Sequence, residues 1–169
     1  MDAVTAPAAP PAPRAPWWPW VVLVLAGVAA YANSFRVPLL LDDVASIAEN
    51  PSLRRLWPLS EVLSPPANVG LGGRPLANLA FALNYAAGGT TVAGYHAVNL
   101  ALHLAAGCLL FALLRRTLLL PALARFSAHA AEIAGAAALL WTLHPLQTNA
   151  VTYLSQRTEV LMALLYLAT

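Results

Sequence analysis

Residues 17–43, WWPWVVLVLAGVAAYANSFRVPLLLDD, decide the fold class. The run opens on Trp17, Trp18 and Trp20, stays apolar to Tyr31, and ends on two adjacent acids, Asp42 and Asp43. Tryptophan rings favour the headgroup level of a bilayer. Pro19 is tolerated in a first helical turn, where its missing N–H has no partner in any case. The apolar part approaches the roughly 17 to 25 residues that a helix needs to cross hydrocarbon. It reads as a first membrane span over about 17–34. A signal peptide is the competing reading, because Ala30-Tyr31-Ala32 has the form of an A-x-A cleavage site. The long leader and the interfacial tryptophans fit an anchor better. The two acids then lie about eight residues beyond the span. Charges near bilayer depth are solvated, paired or functional, so this pair is the first site candidate.

Composition supports the same class. The chain is 60% hydrophobic and 9% charged, against roughly 25% charged in soluble domains. Its mean hydropathy is +0.67. All nine basic residues are Arg, which with abundant Ala, Leu and Pro fits the codon bias of a GC-rich genome. A net charge of +2, scattered along the chain, argues against a nucleic-acid surface. The single Cys108 cannot form an intrachain disulfide and reads as a small buried hydrophobe. Residues 1–16, Ala/Pro-rich and without an apolar face, read as a disordered cytoplasmic tail.

Outward from the first span, apolar runs predict further spans over 92–114 and 132–151, with a fourth starting near 158. His144-Pro145 marks a break in the third. Between the first two spans lie about sixty residues rich in Pro and Gly, a composition that belongs outside the hydrocarbon or in a protein-lined cavity. Leu76–Ala87 is apolar but short and carries Asn78 and Asn84, so it reads as interfacial or re-entrant. With that choice Arg115, Arg116 and Arg125 fall on the cytoplasmic side, as short basic loops should.

The same parity gathers Asp42, Asp43, Arg74 and the corner from His144 to Glu159 on the outer face. A one-sided cluster of this kind suggests an extracytoplasmic site. His96, Asn99 and His103 recur at i, i+3 and i+7, a polar stripe that in a span faces the bundle interior and bonds to neighbouring helices. They lack the further ligand and geometry a metal centre needs. No cofactor is expected, and no ligand set supports a divalent metal. The alternative role for Asp42 or Asp43 is to cap a short helix over 44–48.

Several strings resemble one family. Tyr31-Ala32-Asn33-Ser34, Leu41-Asp42-Asp43, Glu49-Asn50-Pro51, Gly73-Arg74-Pro75-Leu76 and Leu83-Asn84-Tyr85 come in order. Gly94-Tyr95-His96 with Asn99 and His103, His144-Pro145-Leu146-Gln147-Thr148, and Gln156-Arg157-Thr158-Glu159 follow. Together they are similar to the polytopic, tetratricopeptide-associated O-mannosyltransferase-like proteins of the GT-C superfamily. The resemblance implies an all-α transmembrane fold of which this chain holds the N-terminal portion. The implied activity is inverting transfer of a sugar, expected to be mannose, from a polyprenyl-phosphate carrier to a hydroxyl acceptor. The expected location is a bacterial inner membrane, multi-pass, with the site facing the periplasm. The fragment alone would be inactive. A non-catalytic anchor or transporter-like module, whose outer loop binds a partner, is the alternative.

The chemistry accounts for the residue types. The lipid phosphate is already a good leaving group, so the acceptor hydroxyl needs a carboxylate base within hydrogen-bond reach. The resemblance gives that role to Asp42, with Asp43 beside it. Arg74 is the natural phosphate partner, since guanidinium offers a permanent charge and a two-pronged fork; binding any lipid headgroup is the alternative. Arg157 is a second phosphate candidate. Glu159, near a helix start, favours the positive dipole end and reads as a cap or ion-pair partner. His144, His96, Asn99, His103 and Glu159 are supporting polar groups. One position departs from the family pattern, which usually has an acid after the threonine of His-Pro-x-x-Thr: here it is Asn149.

Overall fold

A computed structural model describes residues 16–169. The reading of residues 1–16 as a tail therefore lies, except for Pro16, outside the described residues. Helices and turns make up the described chain, with no strand among them. Seven α-helices run in the order α1 (Trp18–Tyr31), α2 (Leu59–Val62), α3 (Pro75–Gly88), α4 (Val92–Leu118), α5 (Ala130–Thr142), α6 (Gln147–Thr152) and α7 (Arg157–Ala168).

Among the described residues two helical stretches are long and apolar enough to cross a membrane: Trp18–Arg36, in which α1 passes into a 3-10 turn, and Val92–Leu118. At 27 residues, α4 is about 40 Å long at 1.5 Å per residue, beyond the roughly 30 Å of hydrocarbon. It runs past Arg115-Arg116 instead of stopping at them. The last-turn arginines complement the negative end of the helix. The stretch 132–151 is two helices, α5 and α6, with Leu143–Leu146 between them. Pro145 has no N–H to continue the ladder there. α3 has 14 residues and is about 21 Å long, less than a bilayer core.

α4 is the central helix and packs against α1, α3, α5, α6 and α7. One core lies among the long helices: Leu23 and Tyr31 of α1, Leu100, Leu104 and Phe111 of α4, and Ala134 and Ala138 of α5. Small residues permit that close approach. A Cβ on Gly107 would meet Thr142 Oγ1 at 2.5 Å and Leu23 Cδ2 at 3.3 Å, and one on Gly27 would collide with Leu104. The end of α5 is tied in by its own free carbonyl. Thr142 O accepts both the Tyr31 hydroxyl at 3.0 Å and His103 Nε2 at 3.0 Å, which satisfies a group that helix ends leave unpaired. Val21, Val22, Val24, Leu25 and Val28 of α1 stay exposed, the apolar perimeter that a lipid-facing helix presents. Cys108, read as a small buried hydrophobe, is half-buried and packs against this core.

A second core organises the Pro/Gly-rich segment. Ile47, Leu53, Val62, Val69 and Leu71 pack against Ala77, Phe81 and Ala82 of α3, with Tyr95 and Leu154. Two fully buried asparagines hold it together. Asn50 donates to Ser46 O at 3.1 Å and to Asn78 Oδ1 at 3.0 Å. Its own Oδ1 accepts the Ser52 N–H and hydroxyl. Asn78 donates to Ser52 Oγ at 2.9 Å and to Val62 O at 2.7 Å. Burying amides is favourable only when they are paired, so this network keeps a segment with little regular structure in one shape.

Candidate functional site

The two acids of the first loop meet opposite environments. Asp43 is buried, and its carboxylate accepts three backbone N–H groups: Leu40 at 3.1 Å, Leu154 at 3.4 Å and Ser155 at 2.7 Å. Asp43 precedes the π-helical turn Val44–Ala48 but makes no side-chain cap there. Its bonds instead staple the first loop to the α6–α7 corner, more than a hundred residues on. Asp42 is exposed, and its carboxylate has no hydrogen bond among the described residues. Its backbone N–H donates to the Tyr153 hydroxyl at 3.1 Å. Leu41 just before it has φ 44° and is 84% exposed, a left-handed backbone that is an outlier for a bulky residue. Such strain costs on the order of 1–3 kcal/mol and persists where surrounding bonds enforce it; here the Asp43 and Tyr153 bonds on either side do so.

Arg74, exposed at the N-cap of α3, and Asp42 both approach Gly70. Arg74 Nη1 donates to Gly70 O at 3.4 Å, and a Cβ on Gly70 would lie 3.8 Å from Asp42 Cβ. Arg74 and Glu159 line one cleft of about 460 Å³, with Thr158 and the apolar Leu76, Leu161, Met162 and Leu165. The cleft sets one cation and one anion, Arg74 and Glu159, beside an apolar wall. A second, of about 350 Å³, is lined by Leu40, Leu41, Thr148, Asn149, Thr152 and Tyr153.

Arg157 is placed elsewhere. It is fully buried at the start of α7, and all three guanidinium nitrogens are engaged. Nε donates to Asn99 Oδ1 at 2.7 Å, Nη1 to Ala80 O at 3.1 Å, and Nη2 to Tyr95 O at 3.0 Å. The Phe81 ring lies 4.1 Å below it. Its partners are neutral, and Arg157 does not pair with Glu159, which is exposed. Burial draws the guanidinium well below its ordinary value, to about 9, opposed by Tyr95. The group joins α3, α4 and α7.

The stripe on α4 is buried throughout. His96 Nε2 pairs with Val37 O at 3.0 Å, Asn99 Nδ2 donates to Leu154 O at 3.3 Å, and His103 stacks on Trp141 with ring centres 5.1 Å apart. His144 is exposed and accepts the Leu146 N–H at 3.3 Å, a local turn contact. Among the described residues no three His, Cys, Asp or Glu side chains are grouped to hold a metal ion. Arg74 and Glu159 thus line one cleft and Asp42 stands exposed next to Leu41 and Tyr153 of the other, while Asp43, Arg157, Asn99, His96 and His103 lie in the interior. Tyr153 escaped the sequence reading; a lone tyrosine in a polar corner carries no periodic signal.

Comparison with known proteins finds relatives over most of the chain. It is 35% identical over 156 residues to the protein O-mannosyl-transferase Tmtc1 of Drosophila melanogaster, covering 85% of this chain and 17% of that protein. It is 33% identical over 163 residues to Tmtc3 of the same organism, covering 85% and 18%. The protein O-mannosyl-transferase TMTC1 of Mus musculus is 31% identical over 154 residues, covering 85% and 15%. The chain therefore spans less than a fifth of the length of these relatives, which match the resemblance seen in the motifs. No family model and no solved structure matches the chain.

Proposed function

We propose that this chain, related over most of its length to proteins named O-mannosyl-transferase, serves a multi-pass membrane glycosyltransferase of the GT-C type. The reaction we assign moves mannose from a polyprenyl-phosphate carrier to a protein hydroxyl on the extracytoplasmic side. What chiefly supports it is the exposed Asp42 carboxylate, on a backbone fixed by Tyr153, with Gly70 approached both by Asp42 and by the Arg74 guanidinium. A base and a phosphate partner are the two groups such a transfer needs.

In the step we assign, the acceptor oxygen attacks the anomeric carbon from the face opposite the phosphate, and the configuration inverts. The bond from that carbon to the phosphate oxygen breaks as the new C–O bond forms. The hydroxyl proton passes to Asp42, and the polyprenyl phosphate leaves as an anion. Arg74 offsets the charge gathering on the phosphate, an interaction that strengthens towards the transition state. The apolar wall of its cleft suits the first isoprene units. Asp43 and Arg157 hold the loop and the corner in register, and touch no substrate.

The test uses the product of the whole gene in membranes, with radiolabelled polyprenyl-phosphate mannose as donor. Asp42→Asn keeps size and removes the proton acceptor. Transfer should fall on the order of 100- to 10,000-fold, the usual worth of a general base. Near wild-type turnover by that variant would sink the assignment.

A further inference from the structure

The cleft beside Asp42 has chemistry of its own. None of its six lining residues is charged. Its polar side chains are uncommitted among the described residues: the Thr148 and Thr152 hydroxyls and the Asn149 amide make no hydrogen bond, and the Tyr153 hydroxyl accepts the Asp42 N–H while its own proton has no acceptor. Leu40 and the strongly exposed Leu41 form the apolar side. At about 350 Å³ the space is at the lower end of ligand clefts, which run from roughly 300 to 1,000 Å³.

We infer that this cleft seats the acceptor, as a short, extended, uncharged polypeptide segment presenting its hydroxyl to Asp42; the inference rests on the transferase reading above. A phosphate has no cation here, since Arg74 belongs to the other cleft. A peptide group offers one donor and one acceptor in fixed geometry, and a primary amide such as Asn149 matches both at once. Tyr153 donates its free proton to a peptide carbonyl while its oxygen keeps the Asp42 backbone in place, which couples acceptor binding to the position of the base. The leucines take up small neighbouring side chains. Asn149 keeps the cleft neutral and so determines which flanking residues are accepted.

Two measurements on the whole-gene product in lipid nanodiscs test this. The first needs no turnover: a neutral peptide of alanines around one serine, with a benzophenone beside the serine, is photo-crosslinked without donor. Labelling should fall within residues 148–153 and be competed by the unmodified peptide. The second is transfer to the same peptide. Asn149→Ala should raise its KM several-fold, up to about tenfold for one neutral hydrogen bond, with donor KM and melting temperature unchanged. Tyr153→Phe should raise KM and also lower kcat. Asn149→Asp should turn the preference towards a peptide with arginine beside the serine. Labelling elsewhere, or a rise in donor KM alone, overturns the acceptor cleft while leaving the transferase reading intact. Labelling at 148–153 by a wild-type protein that transfers nothing does the reverse.

Discussion

Asp42 and Asp43 are adjacent in sequence, yet one is exposed and the other is buried under three N–H donors. Their amide variants should therefore separate. Asp43→Asn turns an acceptor oxygen into an NH2 group facing backbone donors, and leaving buried groups unpaired costs about 1–3 kcal/mol. Its loss of activity should come with a lower melting temperature in detergent. Asp42→Asn should lose activity with the melting temperature unchanged. Equal thermal stability of the two variants would contradict the staple. Arg157→Met should also destabilise, because Asn99 Oδ1, Ala80 O and Tyr95 O lose their donor inside the protein. Arg157→Lys should recover only part of the loss, since an ammonium lacks the planar fork that reaches all three. Thermal melts of the three proteins compare these outcomes directly.

Among the elements, the crossing of α1, α4 and α5 has the least room. Between apolar helices in lipid, association comes from close packing and interhelical hydrogen bonds rather than from the hydrophobic effect. Gly107→Ala places a methyl against Thr142 Oγ1 and Leu23, and overpacking typically costs about 1–3 kcal/mol. Gly88→Ala at the end of α3 adds the same methyl where nothing lies within 4 Å, so it is the control. Melting temperatures of the two variants should differ clearly, with Gly107→Ala the lower. α3 illustrates a different rule. Its Asn78 is not a concession to the interface but the donor that fixes Val62 and Ser52 in the loop.

For the molecule as a whole, the assigned topology places residues 42–75 and 144–159 outside and the segment after α4 inside. In a background with Cys108 replaced by alanine, single cysteines at Ser60 and Thr152 should react with an impermeant thiol reagent in intact cells. A cysteine at Ser127 should react only after the membrane is opened. The opposite pattern would invert the assignment and remove Asp42 and Arg74 from the extracytoplasmic side.

The sequence alone determined the helical class, because apolar runs of bilayer length and a 9% charge content have few other solutions. It also marked Asp42, Arg74 and Arg157 as candidates, since a charge in an apolar chain stands out without any structure. It could not rank them. Whether a guanidinium faces a cleft or lies inside depends on what the distant chain brings to it. Arg157 is enclosed by Asn99, Ala80 and Tyr95, whereas Arg74 meets one carbonyl at the rim of a cleft. The same holds for the acid pair, which tertiary structure alone divides, because the donors that bury Asp43 come chiefly from Leu154 and Ser155. Local pattern gives residue type and spacing; solvation is decided by contacts between segments that sequence separation hides.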